Sequence, residues 1–121
     1  MAGSSALTVT ELTRDALGLR SDGIALSSTA NVYVDISDMD SSKLLFNVVR
    51  SGAAAVKLSF PAGSEYTGGD MADLDLATTA AGNYYVRCPD SYRVKDANGY
   101  VNLTKSSAST GVLTVYAILL P

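Results

Sequence analysis

The dominant period of apolar positions along this chain is two. In "NVYVDI", Val32, Val34 and Ile36 fall on one side and Asn31, Tyr33 and Asp35 on the other. Successive side chains of a strand point to opposite faces, so this spacing predicts a strand with one buried face. "YVNL" repeats it, with Val101 and Leu103 opposed to Tyr100 and Asn102, and so do "NYYVRC" and "GVLTVYAILL". "ALTVTEL" alternates through Leu7, Val9 and Glu11 before Leu12 breaks step. "KLLFNVVR" and "AAVKLSF" are rich in β-branched and aromatic residues, and the short "SGA" between them predicts a hairpin. A second tight turn, "DANG", joins "YRV" to "YVNL" through residue types that turns favour.

Helical signals are weak. Thr10 to Leu19 would place Leu12, Ala16 and Leu19 on one side of about two turns. "GGDMADLDLATTAAGN" offers Asp70 as an N-cap, yet "ADLDLA" also alternates with period two and reads better as strand or irregular chain. "PAGSEYTGGD" at 61 to 70 and "TKSSASTG" at 104 to 111 read as loops. Short strands separated by turn signals every 8 to 12 residues or so predict an all-β fold of roughly eight strands. The expectation is a single-domain β-sandwich or compact β-barrel with short hairpins. A chain of 121 residues suits one domain. Residues 1 to 12 are either an N-terminal arm or the first strand, and 13 to 121 form the single β domain.

Composition narrows the classes. Hydrophobic residues make up 47% and charged ones 17%, the mark of a chain that packs a core. Nine basic residues, scattered along the sequence, face twelve acidic ones, for a formal charge of −3. Neutralising phosphates needs a gathered basic excess, so no direct nucleic-acid binding is expected. The N-terminus lacks the basic and apolar regions of a secretory signal, and no apolar run approaches the roughly 20 residues of a membrane span. No membrane partner is expected, and the chain is expected to remain soluble where it is made.

Side chains for catalysis are scarce. There is no histidine, which removes the commonest general base, the usual triads and most zinc sites. Cys88, the one cysteine, shares a strand face with Val86 and reads as a small buried apolar group rather than a nucleophile. Asp35, Asp38 and Asp40 offer oxygens to a cation, but without the glycine and terminal glutamate of an EF-hand. A turn organised by Asp38 and Ser41 is the favoured reading there. The glycine-rich stretch at 61 to 70 lacks the Lys-Ser/Thr ending of a phosphate loop, and no spacing singles out a carboxylate pair for sugar hydrolysis. Seven tyrosines stand against two phenylalanines and no tryptophan. Tyr33, Tyr84 or Tyr85, and Tyr100 sit on strands, and together they make a protein-binding surface plausible, because tyrosine buries a large ring and keeps a polar tip.

Taken in order, "ALTVTEL", "YVDISDMDSSKLLFNVVRSGAAAVKLSFPAG", "RCPDSYRVKDANGYVNLT" and the final "VLTVYAILLP" resemble small capsid decoration proteins of tailed bacteriophages, also called cement or auxiliary head proteins. The order of the segments and the Leu-Pro end carry the resemblance, which is least close over residues 13 to 30 and 68 to 82. It implies a non-enzymatic virion protein, made in the host cytoplasm, that binds the capsid exterior and braces the shell without a cofactor. Its partner would be the major capsid protein, and the resemblance permits self-association as a homotrimer or monomers at capsomer centres. Leu7, Val9 and Glu11 are then candidate docking residues on the N-terminal segment, where an extended strand would add to a capsid sheet edge. Tyr33, Tyr85, Arg93, Lys95 and Tyr100 are candidate contacts on the body. The rival expectations are a phage tail or baseplate structural protein and a carbohydrate-binding β-module in which outward tyrosines stack on sugars. A small hydrolase is disfavoured.

Overall fold

Strands with one apolar face can bury it only against a second layer, and this chain supplies both layers itself. The structure is a computed structural model that describes residues 4–20, 23–26, 31–52, 56–62, 73–89, 94–105 and 111–121. Among these, the strands are β1 (Ser4–Ala6), β2 (Val9–Glu11), β3 (Ile24–Ala25), β4 (Asn31–Asp35), β5 (Leu44–Ser51), β6 (Lys57–Phe60), β7 (Leu74–Ala77), β8 (Gly82–Arg87), β9 (Tyr100–Lys105) and β10 (Val112–Leu119). One sheet runs β1-β4-β9-β6-β7 and the other β2-β10-β5-β8, with β3 pairing β10 beyond β2. β1 with β4 and β2 with β10 are parallel, and the remaining ladders are antiparallel. The fold is all-β, with two mixed open sheets and no closed barrel among the described residues.

The alternation read from the sequence is the alternation observed. Val32, Val34 and Ile36 are buried, as are Val101 with Leu103 and Leu113 with Val115 and Ala117. Leu44, Phe46 and Val48 of β5 meet Val56, Leu58 and Phe60 from the other sheet in one core. The Phe46 and Phe60 rings sit 5.7 Å apart at 54°, a tilted pair joining the two layers. Truncating either ring would remove on the order of 3–5 kcal/mol.

The expected hairpin between "KLLFNVVR" and "AAVKLSF" does not form. β5 lies between β10 and β8, so both its edges are taken, and β6 joins the other sheet between β9 and β7. The Gly-containing connector carries the chain from one layer to the other. The weak helical signal over Thr10 to Leu19 does not give a helix. Val9–Glu11 pairs with Ala117–Leu119, Leu12 N–H continues to Leu119 O at 2.9 Å, and Asp15 has a φ of 62°, so tertiary pairing overrides a weak local preference. "ADLDLA" supplies β7, as its alternation suggested. Asp70 and most of 61 to 70 lie outside the described residues.

The two ends of each sheet define two open sides. On one, the chain steps from β1 to β2, and Leu7 N–H donates to Tyr33 O at 2.8 Å while its side chain, 5% exposed, enters the core. On the other, β7 passes to β8 through residues 78–81. Thr78 secures this turn, its hydroxyl donating to Val56 O at 2.7 Å and its carbonyl accepting from the Arg50 guanidinium at 3.1 Å.

Candidate docking surfaces

The outward side chains of the first sheet largely satisfy one another. Tyr33 lies diagonally across the β4–β9 ladder from Tyr100, and the rings stack at 4.3 Å and 16°. The "DANG" turn is built on Asp96, which accepts from Asn98 N–H at 2.9 Å and Tyr100 N–H at 3.0 Å with one carboxylate oxygen. Its other oxygen accepts from the Asn102 side chain at 2.8 Å. Gly99 closes the turn with a φ of 82°, a conformation that glycine adopts without strain. Lys95 bridges to Val101 at the neck of the turn. Arg93 lies outside the described residues.

The second sheet presents a different face. Register places Tyr116, Asn47 and Tyr85 side by side across β10, β5 and β8, all pointing away from the core. Ile118, Leu45 and Arg87 form the next row, and Thr114, Val49 and Asn83 the row beyond. β5 is therefore apolar on both faces, the pattern of a strand covered on both sides. Part of that cover is the loop after β2. Arg20 sets its guanidinium 3.5 Å over the Tyr116 ring and donates to the Asn47 side-chain oxygen at 2.6 Å. Asn47, 1% exposed, passes the link on by donating to Tyr84 O at 3.2 Å. Gly23 brings the loop back against β10, where a Cβ would lie 2.6 Å from the Tyr116 ring. The loop leaves Leu17 at 105% and Leu19 at 93% exposure, and Tyr85 stands 64% exposed on β8.

Between the edges of β7 and β8 lies a cleft of about 170 Å³, lined by Val48, Leu58, Leu76, Ala77, Thr78 and Tyr84–Val86. The Tyr84 hydroxyl fixes its rim by donating to Ala80 O at 2.5 Å and accepting from the N–H groups of Thr79 and Ala80. The contact with Ala80, foremost, holds the phenol below its ordinary acidity range.

No family model, curated protein or solved structure matches this chain.

Of the residues singled out from sequence, Leu7 lies in the core, Val9 packs half-buried against it and Glu11 is exposed at the end of β2. Of residues 1 to 12, expected either as a docking arm or as the first strand, 1 to 3 lie outside the described residues, and 4 to 12 are hydrogen-bonded to β4 and β10. Tyr33 and Tyr100 come together, while Tyr85 stands on the other sheet. The acidic stretch forms two turns by spacing rather than one at Asp38 and Ser41. Asp35 accepts from Ser37, and Asp40 from Ser42, each through both backbone N–H and hydroxyl. These serines hold both carboxyls below the usual aspartate range, and among the described residues no three acidic, Cys or His side chains converge as metal ligands. Cys88 is half-buried beside Val86, and burial pushes its thiol up to about 11. Among the described residues no helix is long and apolar enough to cross a membrane. The sequence reading missed Arg20 and Asn47. A lone Asn inside an apolar run, "LLFNVV", was the available signal, because a buried amide requires a partner.

Proposed function

We propose that this protein is a non-enzymatic virion component that binds the outside of a phage capsid, through the major capsid protein, and stabilises the shell. The observation carrying the reading is the outward face of the second sheet. There Tyr85 stands exposed beside the half-buried Leu45, Val49, Tyr116 and Ile118, and the loop anchored on that face by Arg20 holds out Leu17 and Leu19. Exposed apolar groups gathered on one face mark a surface that meets another protein. The segment order and Leu-Pro end that resemble decoration proteins supply the kind of partner. A protein that binds only the assembled shell stabilises it by linkage, so many modest contacts brace the lattice together.

Co-sedimentation with expanded, DNA-free heads lacking this chain tests the reading. Saturable binding in a fixed ratio to the major capsid protein is expected, with loss of binding in Leu17→Asp/Leu19→Asp. A chain that stays in the supernatant at micromolar concentration refutes it.

A further inference from the structure

The open edge of β8 is the longest uncovered strand edge among the described residues, six residues against four for β7 and three for β1. Cys88 N–H donates to Leu44 O at 2.8 Å, and this sets the phase of the β5–β8 ladder. Hydrogen-bonded and non-hydrogen-bonded pairs alternate in an antiparallel ladder. Val86 with Phe46, Tyr84 with Val48 and Gly82 with Arg50 are thus the hydrogen-bonded pairs. The N–H and C=O groups of Asn83, Tyr85 and Arg87 face away from β5, toward the open edge. Sheet edges in stable monomers are blunted by proline, lysine, bulges or inward charges. "GNYYVR" has no proline, lysine, bulge or inward charge, and its single charged side chain, Arg87, points outward and is turned to Ser42 O, to which it donates.

We propose that β8 pairs with β8 of a second copy, antiparallel about a two-fold axis at Tyr85. Both the edge geometry and the side-chain chemistry select this occupant and this register. The free groups are symmetric about Tyr85. Tyr85 opposite its counterpart, and Asn83 opposite Arg87 of the second copy, engage every one of them. Sliding the register toward the C-terminus sets Asn83 against Pro89, which has no N–H to give. On the outward face the two Tyr85 rings become a cross-strand aromatic pair, and each Arg87 meets an amide instead of another cation. On the inward face Val86 meets Tyr84 of the second copy beside the apolar cleft, which the added strand covers. The pairing joins two second sheets into one continuous layer.

The test is the mass of the full chain in solution, by sedimentation velocity from about 1 to about 500 µM. The wild type is expected to form dimers. Tyr85→Lys and Tyr85→Glu each put like charges opposite one another across the axis, at an exposed position that leaves the core untouched. Each is expected to weaken the dimer at least about tenfold with the circular dichroism spectrum unchanged, and a 1:1 mixture of the two is expected to restore it. A wild type that is monomeric throughout overturns the proposal and leaves the edge to a strand from another protein. So does a dimer indifferent to both substitutions, or a mixture that fails to recover.

Discussion

Replacing Arg20 with Ala tests how the loop after β2 is held. The guanidinium donates to Asn47 at 2.6 Å, a charge-assisted bond worth about 1.5–3 kcal/mol when its partner is buried. Its position 3.5 Å over Tyr116 adds about 0.5–1 kcal/mol at an exposed site. Against these stands the rotamer freedom that Arg20 regains, up to about 2 kcal/mol. The net loss for Arg20→Ala is about 1–2 kcal/mol, which moves the urea midpoint down by about 0.5–1 M. Asn47→Leu is the partner substitution. It removes the acceptor, and Tyr84 O keeps its ladder bond to Val48, so no buried group is orphaned. In the Asn47→Leu background, Arg20→Ala should therefore lose only the Tyr116 contact. Equilibrium unfolding of the four proteins gives a coupling energy, expected at the worth of that hydrogen bond, about 1.5–3 kcal/mol, because the Tyr116 contact and the rotamer term cancel between the two limbs. A coupling under about 0.3 kcal/mol, with Arg20→Ala itself within error of wild type, refutes the reasoning and detaches Leu17 and Leu19 from the face on which they are placed.

Asp96→Ala removes three accepted hydrogen bonds from the "DANG" turn and should lower stability by about 1–2 kcal/mol in urea unfolding, with Gly99→Ala near 1 kcal/mol from its positive φ. Asp35 and Asp40 have depressed pKa values because of Ser37 and Ser42, so their contribution is present above the ordinary value of 3.8 and lost as pH falls through the lower folded values. Urea midpoints should fall on acidification below about pH 4, and Ser37→Ala/Ser42→Ala should flatten that fall. Cys88 ionises near 9 when unfolded and at about 11 when folded, so its thiol leaves stability intact below pH 9 and erodes it as pH rises from 9 through 11. Cys88→Ala should remove that alkaline loss, and the native thiol should react with a disulfide reagent at pH 8 far more slowly than the unfolded one.

The strands were legible because their period is local, whereas their partners were not. Val32/Val34/Ile36 and Val101/Leu103 declare a buried face through neighbours two residues apart, and the structure buries them. Whether "SGA" folds β6 back onto β5 depends on which edges of β5 other strands already hold, and β8 and β10 lie some 30 and 60 residues further on. The sequence did hold a clue. Leu44, Leu45, Phe46, Val48 and Val49 are apolar on both faces of one strand, which suits a central strand under cover better than half of an exposed hairpin. The two acidic turns were readable from the repeated Asp-x-Ser spacing at 35–37 and 40–42, since an Asx turn links residue i to i+2. Assigning one turn to Asp38 and Ser41 overlooked that spacing. Arg20 could not be found locally, because it acts on Asn47 and Tyr116, distant in sequence and joined to it only by the fold.

The two sheets differ in what their outward groups leave over. On the first, Tyr33 stacks on Tyr100, Asp35 holds Ser37 and Asp96 holds Asn102, so rings and carboxylates already have company within the domain. A ligand arriving there would have to compete with contacts already made. On the second, Arg20 and Asn47 use their polar groups to fasten a loop, and the fastening leaves apolar groups in water: Leu17, Leu19 and Tyr85. A folding chain gains nothing from holding two leucines in solvent, since burying each would contribute about 1.5–3 kcal/mol. On the proposed reading their exposure is surface kept for an encounter outside the domain. The second sheet also carries the open β8 edge, so apolar contact and backbone hydrogen bonding are both offered from one layer, while the other layer completes the core.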